Sequence, residues 1–113
     1  MDLEIIIKEL DLKVLTKQKP FNEINPELGY VSDLLSCVIA GAPHHSIWVT
    51  IQAHPNIVAV AALAEISAVI ITENAKPDET TIAKANDEGI VLLSTAKTSF
   101  YVVGKLWEAG IRV

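Results

Sequence analysis

The sequence predicts an α/β fold built on a mostly parallel sheet. From Ser46 onward the chain repeats one plan three times: "SIWVTI", "SAVIIT" and "IVLLST" are short β-rich runs, each followed by polar residues and then a helical segment. The runs begin near Ile47, Ala68 and Ile90, some 21 to 22 residues apart, which is natural for βα units. They are continuously apolar rather than alternating, the mark of strands covered on both faces. Right-handed crossovers then place the connecting helices on the sheet's faces.

The elements before Ser46 are less regular. "MDLEIIIKELDL" reads as an amphipathic helix and "KVLT" as a short strand. "KPFNEINPELG" reads as a loop marked by Pro20, Pro26 and Gly29. "YVSDLLSCVIAG" reads as a strand ending at Val31, then a helix capped by Ser32 or Asp33 and stopped by Gly41. "APHHS" is a turn.

After Ser46 the helices differ. The one following "TIQAHPN" has no polar side until Glu65, and a helix apolar all round must be covered all round. The expected cover is a second copy across a two-fold axis, with Val58, Ala61, Ala62 and Glu65 near the interface. The alternative is burial beneath the N-terminal segment. "PDETTIAKANDEG" opens with Pro77, Asp78 and Glu79 as first-turn residues and ends at Gly89, with Ile82 and Ala85 on a narrow apolar side. The last helix puts Phe100, Val103, Gly104 and Trp107 on one side and stops at Gly110, and Thr98 is placed to cap it.

Bulk properties narrow the function classes. A length of 113 residues suits one domain, and half of them are hydrophobic, which excludes a disordered chain. The net charge is -5 and no Lys/Arg cluster stands in the sequence, so no nucleic-acid partner is expected. A single cysteine, Cys37, read as a small core residue, fits a reducing cytoplasm. Asp2 and Glu4 stand where a signal peptide carries Lys or Arg, so no targeting segment is expected. The tract Ile57 to Ile71 is broken by Glu65 and falls short of the ~20 residues that cross a bilayer. The expectation is a soluble cytoplasmic protein without a membrane segment.

Catalytic signatures are absent. There is no Gly-rich phosphate loop with Lys and Ser/Thr, no Gly-x-Ser-x-Gly elbow and no Cys-x-x-Cys pair. His44 and His45 form a doublet in a turn, where adjacent side chains point apart, so neither a metal site nor a cofactor is expected. In open α/β sheets ligands sit beyond the C-terminal ends of parallel strands, near unpaired helix N–H groups. Those ends supply Thr50, Gln52, His54 and Asn56, then Thr72 to Asn74, then Ser94 and Thr95. Hydroxyls, amides and one titratable histidine suit a polar or phosphorylated metabolite held by neutral hydrogen bonds. Capping alone accounts for Pro55 and Asn56; for His54 a ligand contact and a local structural hydrogen bond both stand. An enzyme using His54 as general base with Thr50 or Ser94 nearby is the alternative.

"GYVSDLLSCV", "IWVTIQAHPNIVAVAALAEISAVIIT" and "KPDETTIAKANDEGIVLLST" together resemble the DRTGG domain family, over Val14 to Ile111. The sharpest pieces are "DLLS", Asp33 to Ser36, and the "TIQ-H-N" arrangement with "VAVA" behind it. Where the family's name-giving motif sits, this chain has "NPELGY", keeping only Gly29, so the loop Asn25 to Gly29 departs from the pattern. The resemblance implies a three-layer α/β/α sandwich similar to the N-terminal domain of HPr kinase/phosphorylase. It also implies one DRTGG-like domain over residues 1–113. Such domains occur within some phosphate acetyltransferases and CBS-containing inorganic pyrophosphatases, as regulatory or dimerising modules. The function implied is a non-catalytic, homodimeric module that binds a nucleotide or other small phosphorylated metabolite, or docks on a partner enzyme. Asp33 and Ser36, as motif residues, then line the same crevice as the strand ends, while helix capping is the competing role for Asp33.

Overall fold

The computed structural model describes residues 1–113. Five strands form one sheet in the order β1-β5-β4-β3-β2: β1 (Lys13–Val14), β2 (Gly29–Val31), β3 (Ile47–Thr50), β4 (Ala68–Ile71) and β5 (Leu92–Ser94). β2, β3, β4 and β5 pair in parallel, and only β1 runs antiparallel, against β5. The helices are α1 (Leu3–Glu9), α2 (Leu35–Gly41), α3 (Asn56–Leu63), α4 (Glu79–Glu88) and α5 (Ser99–Glu108), with a 3-10 turn at Phe21–Glu23. The α/β architecture expected from the strand runs is the one observed.

Because β2 to β5 are sequential neighbours, every crossover moves the same way across the sheet. Right-handed connections therefore deliver α2, α3 and α4 to one face. Trp48, Val69, Ile71 and Leu92 point to that face and pack with Val38, Ile57, Val58, Ala61 and Ala85. The alternate residues Ile47, Val49, Ile70 and Leu93 point the other way, onto Leu3 and Ile6 of α1 and Val102 and Leu106 of α5. Two apolar cores thus sandwich the sheet, which explains why its strands read as continuous apolar runs. No helix is long and apolar enough to cross a membrane.

Several local expectations are corrected. The cover of α3 comes from its own chain: Val58 and Ala61 are buried against the sheet and between α2 and α4. The outer side of α3 is Ala59 and Leu63, with Ala62 half-buried and Glu65 exposed. Val58 and Ala61 are thus taken up by the chain's own core, and of the residues expected near an interface only Ala62 and Glu65 reach the surface, beside the 66% exposed Leu63. α2 buries Val38, with Leu35 and Ala42 half-buried beside it, which leaves Ser36 and Cys37 exposed rather than inward. Neither Ser32 nor Asp33 caps α2; its N-cap is Leu34, which has no side chain able to cap, and Gly41 is its last residue rather than its stop. On α5 the core-facing pair is Val102 and Leu106, while Phe100 is 91% exposed and Trp107 50%.

The remaining helix ends follow capping rules. Asp78 is the N-cap of α4, accepting from the Thr81 N–H at 2.8 Å, and Gly89 takes the left-handed conformation (φ 71°) at its other end. Thr98 caps α5 through the Tyr101 N–H, as the sequence leads one to expect, and Gly110 (φ 99°) ends it. The 16–20 loop is laced to the end of α4: Lys17 N–H donates to Asn86 Oδ1 and Lys19 Nζ to the Gly89 carbonyl.

Candidate functional site

All four parallel strands end at one rim of the sheet, so Asp33, Thr50, Thr72 and Ser94 are brought to a shared edge as the βα plan requires. Their chemistry then divides along that edge.

At the β2/β3 corner the polar groups satisfy each other. Asp33 Oδ1 accepts from the Thr50 hydroxyl and from the Ile51 N–H, each at 2.9 Å. Thr50 Oγ1 accepts the Gln52 N–H at 3.1 Å, and Gln52 Nε2 donates to the Asp33 carbonyl at 3.1 Å. Asp33 thus ties the end of β2 to the end of β3 instead of capping α2. His54 Nδ1 accepts the Asn56 N–H at 3.1 Å, so the imidazole itself caps the first turn of α3. No Thr50 or Ser94 hydroxyl is hydrogen-bonded to His54, and the nucleophile–base pair of the enzymatic alternative is not assembled. Ser36 lies on the outer face of α2, away from these bonds.

The middle of the rim is closed as well. Thr72 is fully buried; its hydroxyl lies 2.6 Å from Ser99 Oγ and reaches the Thr50 carbonyl at 3.4 Å. The Ser99 N–H donates to Glu73 Oε2, which docks the start of α5 on the β4–α4 loop. Asn74 N–H donates to the Thr95 carbonyl, Glu73 N–H to the Lys97 carbonyl, and Lys97 N–H to Thr95 Oγ1.

The β4/β5/β1 corner is different. There a cleft of about 270 Å³ opens between the α1–β1 turn and the two loops that follow β4 and β5. Ser94, Thr95 and Asn74 line it, joined by Lys13, Lys76 and Lys97. Ser94 is only 8% exposed, and its hydroxyl makes no hydrogen bond within the protein. The rim thus carries lysines beside the neutral groups expected from the sequence. The three lysines stand far apart in sequence and escape a search for basic runs; the signal available was that Lys76 and Lys97 each fall just past a strand end.

Near α4, the Thr81 backbone N–H and then its hydroxyl hold the Asp78 carboxyl below the usual carboxylate range, with a smaller contribution from His54. The His44–His45 doublet and the loop Asn25 to Gly29 lie at the opposite end of the strands, around a second cleft of about 600 Å³. His44 Nδ1 sits 3.0 Å from Glu65 Oε2, an exposed pair worth at most about 1 kcal/mol. No cluster of three or more His, Cys, Asp or Glu side chains is placed to hold a metal ion.

The two cores on either side of the sheet define a three-layer α/β/α domain. The regulatory region of Clostridium perfringens pyrophosphatase, comprising CBS and DRTGG domains and solved with its activator diadenosine tetraphosphate, shares this fold with a TM-score of 0.71. The likeness covers 91% of this chain and 44% of that one, at 16% identity, so this chain spans less than half of that chain's length. No protein-family model matches the chain, and no curated protein does.

Proposed function

We propose that this chain is a DRTGG-like, non-catalytic regulatory domain, a single unit over residues 1–113. Its ligand is a nucleotide or other small phosphorylated metabolite, bound at the strand-end rim. The observation that carries this reading is the one open corner of the rim, where Ser94, Thr95 and Asn74 line a single cleft with Lys13, Lys76 and Lys97. The fold shared with a nucleotide-activated regulatory region supports the same reading.

The reading includes transmission to a partner enzyme or a second copy. The largest exposed apolar side chain available to a second copy is Phe100 on the outer side of α5, beside Trp107, while α3 offers Leu63. Thermal melting of the chain against a panel of nucleotides and acyl phosphates tests the ligand. Saturation at 100 times Kd adds about 2.7 kcal/mol to stability, an easily measured rise in Tm. An unchanged Tm throughout the panel at millimolar concentration would eliminate the small ligand and leave protein docking.

A further inference from the structure

Resting on the reading of the rim as ligand-bearing, we infer that the β4/β5/β1 cleft is an anion site that seats a phosphoryl or pyrophosphoryl group. Lys13, Lys76 and Lys97 supply the charge, and Ser94 and Asn74 supply hydrogen bonds.

Four observations converge on it. The first is register: Lys13 lies directly opposite Ser94 in the antiparallel β1/β5 pair, and opposed residues project to the same face. The lysine therefore emerges beside the free hydroxyl. Secondly, the charges there are uncompensated. The chain carries 14 acidic and 9 basic residues, yet none of these three lysines has a carboxylate within 4.0 Å; the ion pairs formed are His44–Glu65 and Lys105–Glu108. Asp11 is the one acid among the lining residues. An acidic protein that gathers three lysines without carboxylate partners around one cavity, against a single acid, has a local field opposite to its overall charge; Lys97 Nζ also lies 5.3 Å from the centre of the Tyr101 ring.

The third observation is backbone strain. Only five non-glycine residues in the chain have positive φ, and two of them, Asp11 (51°) and Asn74 (61°), line this cleft, with Glu73 (59°) preceding Asn74 in the same loop. Left-handed backbone at residues other than glycine persists only where the surroundings enforce it, and such positions gather at binding sites. Here the enforcement is the pair of bonds from Glu73 and Asn74 N–H to the Lys97 and Thr95 carbonyls, which carries Lys76 and Lys97 to the same opening.

The fourth is size. At about 270 Å³ the cleft is smaller than the roughly 300–1,000 Å³ that encloses a whole drug-sized ligand. It accommodates a phosphate or diphosphate while the rest of the molecule projects into solvent. The charged end then provides the recognition.

The test is an amide NMR titration of the full chain with sodium pyrophosphate, ADP and adenosine, at low and high salt. Pyrophosphate and ADP are expected to shift the Asn74, Lys76, Ser94, Thr95 and Lys97 amides, and adenosine is not. Lys76→Met with Lys97→Met is expected to weaken pyrophosphate at least ~10-fold with only a small fall in Tm, from the lost contact of Lys97 with the Tyr101 ring, and Ser94→Ala to weaken it about 5-fold. Raising the salt is expected to weaken binding further, since charges at a rim are screened over ~10 Å at 0.1 M. Cleft amides unmoved by 10 mM pyrophosphate, or lysine variants binding it as well as the parent, would overturn the anion site. If adenosine still moved amides at Thr50, Gln52 or His54, ligand sensing at the rim would survive without it; if no probe moved any rim amide, both would fall.

Discussion

Replacing Thr50 by Val separates a structural rim from a ligand-binding one. Thr50 is fully buried, and its hydroxyl makes two bonds: it donates to Asp33 Oδ1 at 2.9 Å and accepts the Gln52 N–H at 3.1 Å. Valine fills nearly the same volume, so no cavity complicates the result. A bond to a carboxylate is worth about 1.5–3 kcal/mol and a neutral one about 0.5–1.5 kcal/mol. Asp33 is exposed and keeps its bond from the Ile51 N–H, so water recovers much of the first contribution. The added methyl returns a further fraction. The net loss is expected near 2 kcal/mol, which in a domain of this size lowers Tm by roughly 8–12 °C. Urea unfolding followed by tryptophan fluorescence measures it, with an unchanged m-value confirming two-state behaviour. Pyrophosphate binding should be unaffected. A T50V chain as stable as the parent but unable to bind any ligand would refute the assignment of Thr50 to the strand-end lock and return it to the ligand site.

Three other outcomes are expected. At Gly41 an added Cβ would lie 2.6 Å from Tyr30 Oη, whose hydroxyl donates to the Cys37 carbonyl, so Gly41→Ala should cost about 1–2 kcal/mol in denaturant titration, and less in a Tyr30→Phe background. Asp78 has a folded-state pKa depressed below its unfolded value, so its contribution is present above the unfolded pKa and lost as pH falls through the folded one. The stability gap between the parent and Asp78→Asn should therefore narrow from about pH 5 towards pH 2, as read from urea midpoints. Sedimentation velocity should show that Phe100→Glu with Trp107→Glu lowers any self-association, whereas Leu63→Glu on α3 leaves it unchanged; the reverse pattern would restore α3 as the contact.

How much was legible in the sequence depends on how local the deciding physics is. Strands buried on both faces advertise themselves as unbroken apolar runs, so β3, β4 and β5 could be read directly, and their common direction fixed which residues share the rim. Caps are equally local: Thr98 and Gly89 act within one turn of themselves. What lay hidden was decided across the sheet. Whether the apolar residues of α3 were covered by the chain itself depended on α2 and α4 standing on either side. The Phe100–Trp107 stripe looks inward by periodicity, but Val102 and Leu106 fill the space over the sheet. His54 could be a base, a ligand contact or a cap, and the 3.1 Å contact of its Nδ1 with the Asn56 N–H, which shows the capping role, is not visible in the sequence.

The lysine cleft was illegible for a related reason, and the reason explains why it exists. A parallel edge strand would carry its chain past the rim into another loop and helix, covering the corner beside β5. β1 runs the other way, so its first residue, Lys13, stands at the rim and the chain then descends away from it. The corner is left uncovered, with the end of α1 on one side and the loops that follow β4 and β5 on the other. Sequence distance between residues 13, 76 and 97 conceals this, because the antiparallel pairing that unites them is a property of the whole sheet. The same reversal leaves Ser94 without the neighbour that Thr50 finds in Asp33 at the opposite corner. One rim therefore has a locked end and an open end, and a ligand can act at the open one without disturbing the bonds that hold the other.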